Sequence, residues 1–77
     1  MPVDPDVISA LEAVVDREPG NLALGVHLAS LLLDAGRPED ALRRCRTVLE
    51  RAPADPAARA TADQAARAAG RPHLRLV

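Results

Sequence analysis

Cys45, His27 and His73 are the side chains that could take part in nucleophilic or metal chemistry. A cysteine nucleophile needs a histidine or another activating group beside its thiol. Cys45 instead has the helical spacing of a core residue relative to Leu42 and Val48, so we predict a buried rather than a catalytic thiol. The two histidines stand 46 residues apart without companion ligands at metal spacing, so no zinc site is expected. We interpret His27 as a partly buried helix residue, with a ligand or base role as the alternative.

Phosphate chemistry has no support in the sequence either. The four glycines are isolated from one another, and the chain has no lysine that could reach a phosphate. No pair of carboxylates recurs in an arrangement typical of acid–base catalysis. We therefore predict that the protein is not an enzyme and that it binds no cofactor and no metal.

The charge and composition exclude several kinds of partner. The chain has 77 residues with 10 arginines against 11 acidic residues, and a net charge of −1 creates no field that would attract nucleic acid or an anionic membrane. The longest apolar stretch, residues 22–33, is interrupted by His27 and Ser30 and is too short to span a bilayer. The first residues lack the pattern of a secretory signal, and a single cysteine fits a reducing compartment. We expect a cytoplasmic protein.

Prolines, glycines and capping residues divide the chain into four predicted helices. Each predicted start has a capping residue, a proline at the first helical position, or both: Asp4 and Pro5, Asn21, Pro38, and Asp55 and Pro56. Pro19-Gly20 and Gly36 end the first two helices, and the fourth should end at Ala69, before Gly70. Gly36 should be left-handed, whereas Gly25 lies inside the second helix and should tolerate alanine.

Apolar residues at helical spacing define the face that each helix should bury. The second helix is apolar nearly all round, and the faces of the others are Val7, Ile8, Leu11, Val14 and Val15; Ala41, Leu42, Cys45, Val48, Leu49 and Ala52; and Ala58, Ala62, Ala65, Ala66 and Ala69. On the third helix, Glu39 and Arg43, and Asp40 and Arg44, stand four apart in the order that favours ion pairs. We interpret these charges as a solvated outer face.

Two independent sequence features repeat with one period. The tetrapeptide Ala35-Gly36-Arg37-Pro38 returns as Ala69-Gly70-Arg71-Pro72, 34 residues later, and Pro19 and Pro53 are also 34 residues apart. A period of about 34 residues is the length of a tetratricopeptide helix-turn-helix unit. Such a repeat builds a surface for a partner rather than a pocket for a reaction.

The residues between these marks carry the resemblance to the tetratricopeptide repeat family. The matching positions of the complete repeat, residues 22–55, are Gly25, Leu28, Ala29, Leu32, Ala41, Cys45 and Pro53. The aromatic positions of the family are lost, because Gly25, Leu32 and Cys45 occupy them. Half repeats flank this unit, so we expect an all-α antiparallel array of about four helices over residues 1–70 and a flexible tail over residues 71–77. The chain is similar to the repeats that begin larger bacterial proteins, including some ATPases.

The resemblance implies a concave groove that accepts a peptide or helix segment of a protein partner. By position, its wall comprises Ala23, Val26, His27, Ser30, Leu33 and Asp34 of the second helix, and Ala57, Ala60, Thr61, Gln64 and Arg67 of the fourth. Arg67 is the only cation in this set, so a clamp for a C-terminal carboxylate is not supported. Val26 and Leu33 favour an apolar ligand segment.

Two alternatives remain open at this point. In the first, the chain self-associates, and a second copy covers Val26 and Leu33. In the second, the chain is a helix-turn-helix DNA binder, because the third helix carries Arg43, Arg44, Arg46 and Arg51. Balanced charge makes this second alternative the weaker one, and we expect no nucleic-acid partner.

Overall fold

The protein is an array of four α-helices joined by short turns. The computed structural model describes residues 4–74, with side chains described for residues 4–70. The helices are α1 (Pro5–Arg17), α2 (Leu22–Asp34), α3 (Pro38–Arg51) and α4 (Pro56–Leu74). Each helix packs against its neighbours in the chain, and α2 also touches α4. The predicted all-α antiparallel array is therefore confirmed.

Side-chain caps explain where three of the helices begin. The carboxylate of Asp4 accepts a hydrogen bond from the Asp6 amide at 2.9 Å, and the Asn21 side chain accepts one from the Leu24 amide at 3.2 Å. Asp55 caps α4 in the same way, with the Ala57 amide at 3.2 Å. Each cap satisfies an amide that the helix itself leaves unpaired, a contribution of about 1 kcal/mol. The α3 helix has no side-chain cap and begins with Pro38 at its first position.

Gly36 ends α2 in the left-handed conformation that the sequence predicted. Its φ angle is +79°, and the Arg37 amide donates back to the Leu32 carbonyl at 2.9 Å. The Gly36 amide donates to the Leu33 carbonyl at 3.1 Å. These two bonds satisfy carbonyls at the helix end and turn the chain back toward α2.

The end of α4 differs from the prediction. The helix continues through Gly70 to Leu74 instead of ending at Ala69. Gly36 is the only glycine with positive φ in the described part of the chain, so the second copy of the tetrapeptide does not make the turn. The first copy is held in its turn by α3 packing on α2, and no described helix folds back on α4 in that way. Residues 75–77 of the predicted tail lie outside the described residues, and the domain boundary at residue 70 stays a prediction.

The core is built mainly between α2 and α3. It comprises Ile8, Leu28, Ala29, Leu32, Ala41, Cys45 and Ala65, all at most 1% exposed. Leu42 and Leu33 are partly buried and pack against this cluster. On α4, Ala58 and Ala65 are buried as predicted, but Ala66 is exposed, because α4 presents only one narrow stripe to α3. Val7, which was predicted to be buried, is 52% exposed at the start of α1.

Arg44 connects α3 to α1 rather than lying on an outer face. Its guanidinium contacts the carboxylates of Asp16 at 3.0 Å and Glu12 at 3.6 Å, and its side chain is only 22% exposed. The predicted pair of Asp40 with Arg44 is therefore wrong. Asp40 instead contacts Arg37 at 2.9 Å and also Arg43, both within the same turn region. Two carboxylates of α1, one helical turn apart, therefore pair with Arg44 in place of a carboxylate of its own helix.

Candidate partner-binding groove

The predicted groove lies on α2 and α4. Both α2 and α4 pack against α3, and they also touch each other. Because α3 runs between them in the chain, α2 and α4 point in the same direction. The shortest dimension of the molecule is 17 Å, which corresponds to about two layers of helices at 8–10 Å spacing. One face of this thin array is formed by neighbouring sides of α2 and α4.

The α2 side of the groove is less apolar at its surface than the sequence suggested. Ala23, His27 and Asp34 are exposed, whereas Val26 and Ser30 are partly buried. Leu33 is also partly buried and packs against the core cluster, so it is a structural residue as much as a surface one. Its apolar surface is therefore only partly available to the ligand segment that the sequence suggested.

The α4 side of the groove consists of small and polar residues. Ala57, Ala60, Gln64 and Arg67 are exposed, and Thr61 is partly buried. None of the predicted groove side chains, on α2 or on α4, takes part in a hydrogen bond or an ion pair among residues 4–70. Within that part of the chain, the exposed charged groups of Asp34 and Arg67 have no partner.

Cys45 and the histidines occupy different environments. Cys45 is a free, fully buried cysteine, and burial raises the pKa of its thiol, so the reactive thiolate is disfavoured at neutral pH. His27 is exposed on α2, where the sequence predicted partial burial. The side chain of His73 lies outside the described residues. No cluster of three potential metal ligands occurs where side chains are described.

Two further observations bear on membranes and nucleic acids. No helix in the described chain is both long enough and apolar enough to cross a membrane. Of the four arginines of α3, Arg44 is paired with acids of α1 and Arg43 with Asp40. Half of the cations that suggested a DNA-binding helix are thus already neutralised within the protein.

The sequence reasoning missed the link between α1 and α3. Glu12 and Asp16 stand one turn apart on α1, a spacing that places both carboxylates on one side of the helix. No basic residue of α1 lies three or four positions from either acid. That pattern could have predicted an ion pair with a basic residue of another helix. Arg44 is that residue, and its ion pairs link α3 to α1.

The four packed helices define an all-α helical-repeat architecture. A family profile described as tetratricopeptide repeat matches residues 6–69, which is most of the chain. The chain therefore belongs to the tetratricopeptide repeat family, as its period and small residues indicated. This family generally mediates protein–protein interaction, and its repeats are typically not enzymatic. No curated protein and no solved structure matches the chain significantly.

Proposed function

We propose that this protein is an interaction module that presents the adjacent sides of α2 and α4 to a segment of a partner protein. The observation that carries the proposal is the match of residues 6–69 to a family that generally binds proteins, together with exposed polar groups on these sides of α2 and α4. Among residues 4–70, the side chains of Asp34, Gln64 and Arg67 take part in no hydrogen bond or ion pair. Unpaired charges are not confined to the groove, since Arg46, Arg51 and Arg59 also have no carboxylate partner in that part of the chain.

The residue types favour a partner segment that approaches closely and has mixed polarity. Ala23, Ala57 and Ala60 are exposed and small, so a helix or an extended peptide can bring its backbone near α2 and α4. Asp34 and Arg67 supply one charge of each sign, which can orient such a segment. Val26 supplies a small apolar contact, and its partial burial limits how large an apolar anchor the groove can hold.

The two alternatives have less support. Self-association through the groove requires an exposed apolar surface that a second copy would bury. Val26 and Leu33 are both already partly buried within one copy. Among residues 4–70, the one large apolar side chain that is exposed, Val7, belongs to α1. A DNA-binding role would rest on α3, where Arg46 and Arg51 are exposed but Arg43 and Arg44 are paired.

The proposed location is the cytoplasm, where a lone reduced cysteine is compatible with the redox state. Fractionation of the source cells tests it, and recovery of the protein in an oxidising compartment would contradict it. The proposed context is a bacterial protein in which this module serves a larger assembly. Neither proposal affects the chemistry of the groove.

A pull-down with matched variants tests the function. Tagged wild-type protein and two variants of α4, Ala60→Glu in the groove and Ala66→Glu outside it, are used as baits in a lysate of the source organism. Both alanines are exposed on the same helix, so the substitutions are chemically identical and should leave the fold unchanged. We expect a partner that the wild type and Ala66→Glu retain and that Ala60→Glu loses. A partner lost equally with both variants would contradict a groove on this side of α4.

Sedimentation of the same three proteins tests the self-association alternative. The interaction-module proposal expects a monomer whose mass does not change between dilute and concentrated samples. A dimer that Ala60→Glu converts to a monomer would instead favour a groove covered by a second copy.

A further inference from the structure

A small cleft lies between α1, the beginning of α2 and α3. Its volume is about 120 Å³, and its walls include Val15, Leu22, Gly25, Thr47 and Val48. It shares no residue with the groove on α2 and α4. Two of the lining residues, Gly25 of α2 and Val48 of α3, lie directly against each other.

The lining of the cleft is mostly apolar, and most of its polar groups already have partners. The Asn21 side-chain oxygen accepts from the Leu24 amide, and the Thr47 hydroxyl donates to the Arg43 carbonyl at 3.3 Å. Arg44, which also lines the cleft, is held by Asp16 and Glu12. A ligand that needed many hydrogen bonds would find few free groups here, whereas an uncharged apolar group would lose little by entering.

Arg44 gives the cleft a preference among apolar groups. A guanidinium whose N–H groups are directed to carboxylates keeps its flat faces for stacking, and arginine stacks on aromatic rings. The two carboxylates restrict the movement of Arg44, so a ring that stacks on it costs little additional ordering. An aromatic ring therefore gains a contact that an aliphatic side chain of similar size does not.

The size of the cleft selects a single ring. Sites for whole small molecules are usually about 300–1,000 Å³, while an apolar cavity of about 150 Å³ is known to bind benzene. The volume here is on the scale of one ring, as for a side chain that anchors a protein interface. The sequence contains no Phe, Tyr or Trp, so a second copy of this chain cannot supply the ring.

We propose that this cleft is a second binding site, which receives one aromatic side chain of a partner protein against Gly25, Val48 and Arg44. The site is on a different side of α2 from the groove, so the two sites can be occupied together. A partner that carries an aromatic anchor beside its groove-binding segment would be recognised at both.

Methyl NMR of the full chain tests the site, with N-acetyl-tryptophanamide, N-acetyl-phenylalaninamide and N-acetyl-leucinamide as probes. We expect the aromatic amides to shift the resonances of Val15, Leu22 and Val48, with dissociation constants on the order of 1 mM for so few atoms. The leucine amide should bind more weakly, with a dissociation constant about tenfold higher when each titration is fitted. No shift at the solubility limit, or equal dissociation constants for all three probes, would overturn the proposal.

Matched threonine variants locate the binding. Thr47→Leu adds bulk to the exposed rim of the cleft and should weaken binding of the phenylalanine amide by about tenfold or more, because a filled space excludes the ring. Thr61→Leu makes the same change on the α4 side of the groove and should have no effect. If Thr47→Leu disturbs the helix, Thr47→Met adds similar bulk on an unbranched stem. Loss of binding with Thr61→Leu alone would place the ring in the groove and overturn the assignment.

Discussion

Val48 on α3 lies directly against Gly25 on α2. A Cβ atom added at position 25 would come within 2.9 Å of Cγ2 of Val48, closer than real Cβ contacts allow. Val48 is 3% exposed and has a β-branched side chain, which in a helix has essentially one preferred rotamer. The glycine inside α2 is thus required by its neighbour, although the sequence alone suggested that alanine would be tolerated there.

This contact predicts that the residue at position 48 determines whether Gly25→Ala stabilises or destabilises the protein. Gly25→Ala should destabilise the protein by about 1 kcal/mol, because overpacking of about 1–3 kcal/mol outweighs the helix propensity gain of about 1 kcal/mol. In a Val48→Ala background, the same Gly25→Ala change should stabilise by roughly 0.5–1 kcal/mol, since the methyl group then has space. Thermal unfolding of the four proteins measures both effects. A stabilising Gly25→Ala in the native background would refute the close contact.

Gly36 and Gly20 offer a matched pair for the left-handed turn. Neither glycine has an atom within 4 Å of an added Cβ, but only Gly36 has positive φ, at +79°. Gly36→Ala should therefore cost about 1–2 kcal/mol through the backbone alone, with Gly36→Val costing more. Gly20→Ala should be neutral or slightly stabilising, because alanine lowers the entropy of the unfolded chain. Equal melting temperatures for Gly36→Ala and Gly20→Ala would argue against the turn.

Arg44 should control how firmly α1 is attached. Arg44→Met keeps most of the side chain and removes the ion pairs with Glu12 and Asp16, which should cost about 0.5–1 kcal/mol for such partly exposed pairs. Hydrogen exchange should accelerate in α1 more than in α3 or α4. Arg43→Met is the control, because Arg43 is 71% exposed and pairs within its own helix. Uniform acceleration throughout the protein would show that Arg44 has no special role for α1.

The pairing of α2 with α3 depends on Leu28, which is fully buried beside Ala41 and Cys45 in the core cluster. Leu28→Ala should cost about 2–5 kcal/mol, which is a large share of the stability of so small a domain. Leu49→Ala on α3 should cost less, because Leu49 is only partly buried. Circular dichroism with thermal melts measures both variants. Retention of the wild-type melting temperature by Leu28→Ala would contradict the observed helix pairing.

The helix starts and the first turn were predictable because their causes are local. The side chains of Asp4, Asn21 and Asp55 accept hydrogen bonds from amides two or three residues away. The turn at Gly36 needs only a positive φ angle at that one residue, which glycine adopts readily. Local signals therefore located all four helices, and the 34-residue period indicated how they pack.

The remaining features depend on neighbours that local patterns do not identify. The identical tetrapeptides at residues 35–38 and 69–72 adopt different conformations, because within residues 4–74 only the first is followed by a helix that packs back on the preceding one. Arg44 forms ion pairs with two acids of α1, which are 28 and 32 residues away in sequence, and not with an acid of its own helix. The cleft beside Gly25 likewise follows from how three helices meet. The groove positions, by contrast, came from the family resemblance, and they stay a prediction.

The central claim is that a partner binds the side of α2 and α4 that carries Ala23, Ala60 and Gln64. Titration calorimetry of the partner fragment with wild type, Ala60→Glu and Ala66→Glu tests it most directly. Both alanines are exposed on α4, so the two variants differ only in the side of the helix that bears the new charge. We predict that Ala60→Glu weakens binding by about tenfold or more, equivalent to about 1.4 kcal/mol, while Ala66→Glu leaves the affinity unchanged. An unchanged affinity for Ala60→Glu, or a larger loss for Ala66→Glu, would contradict the account.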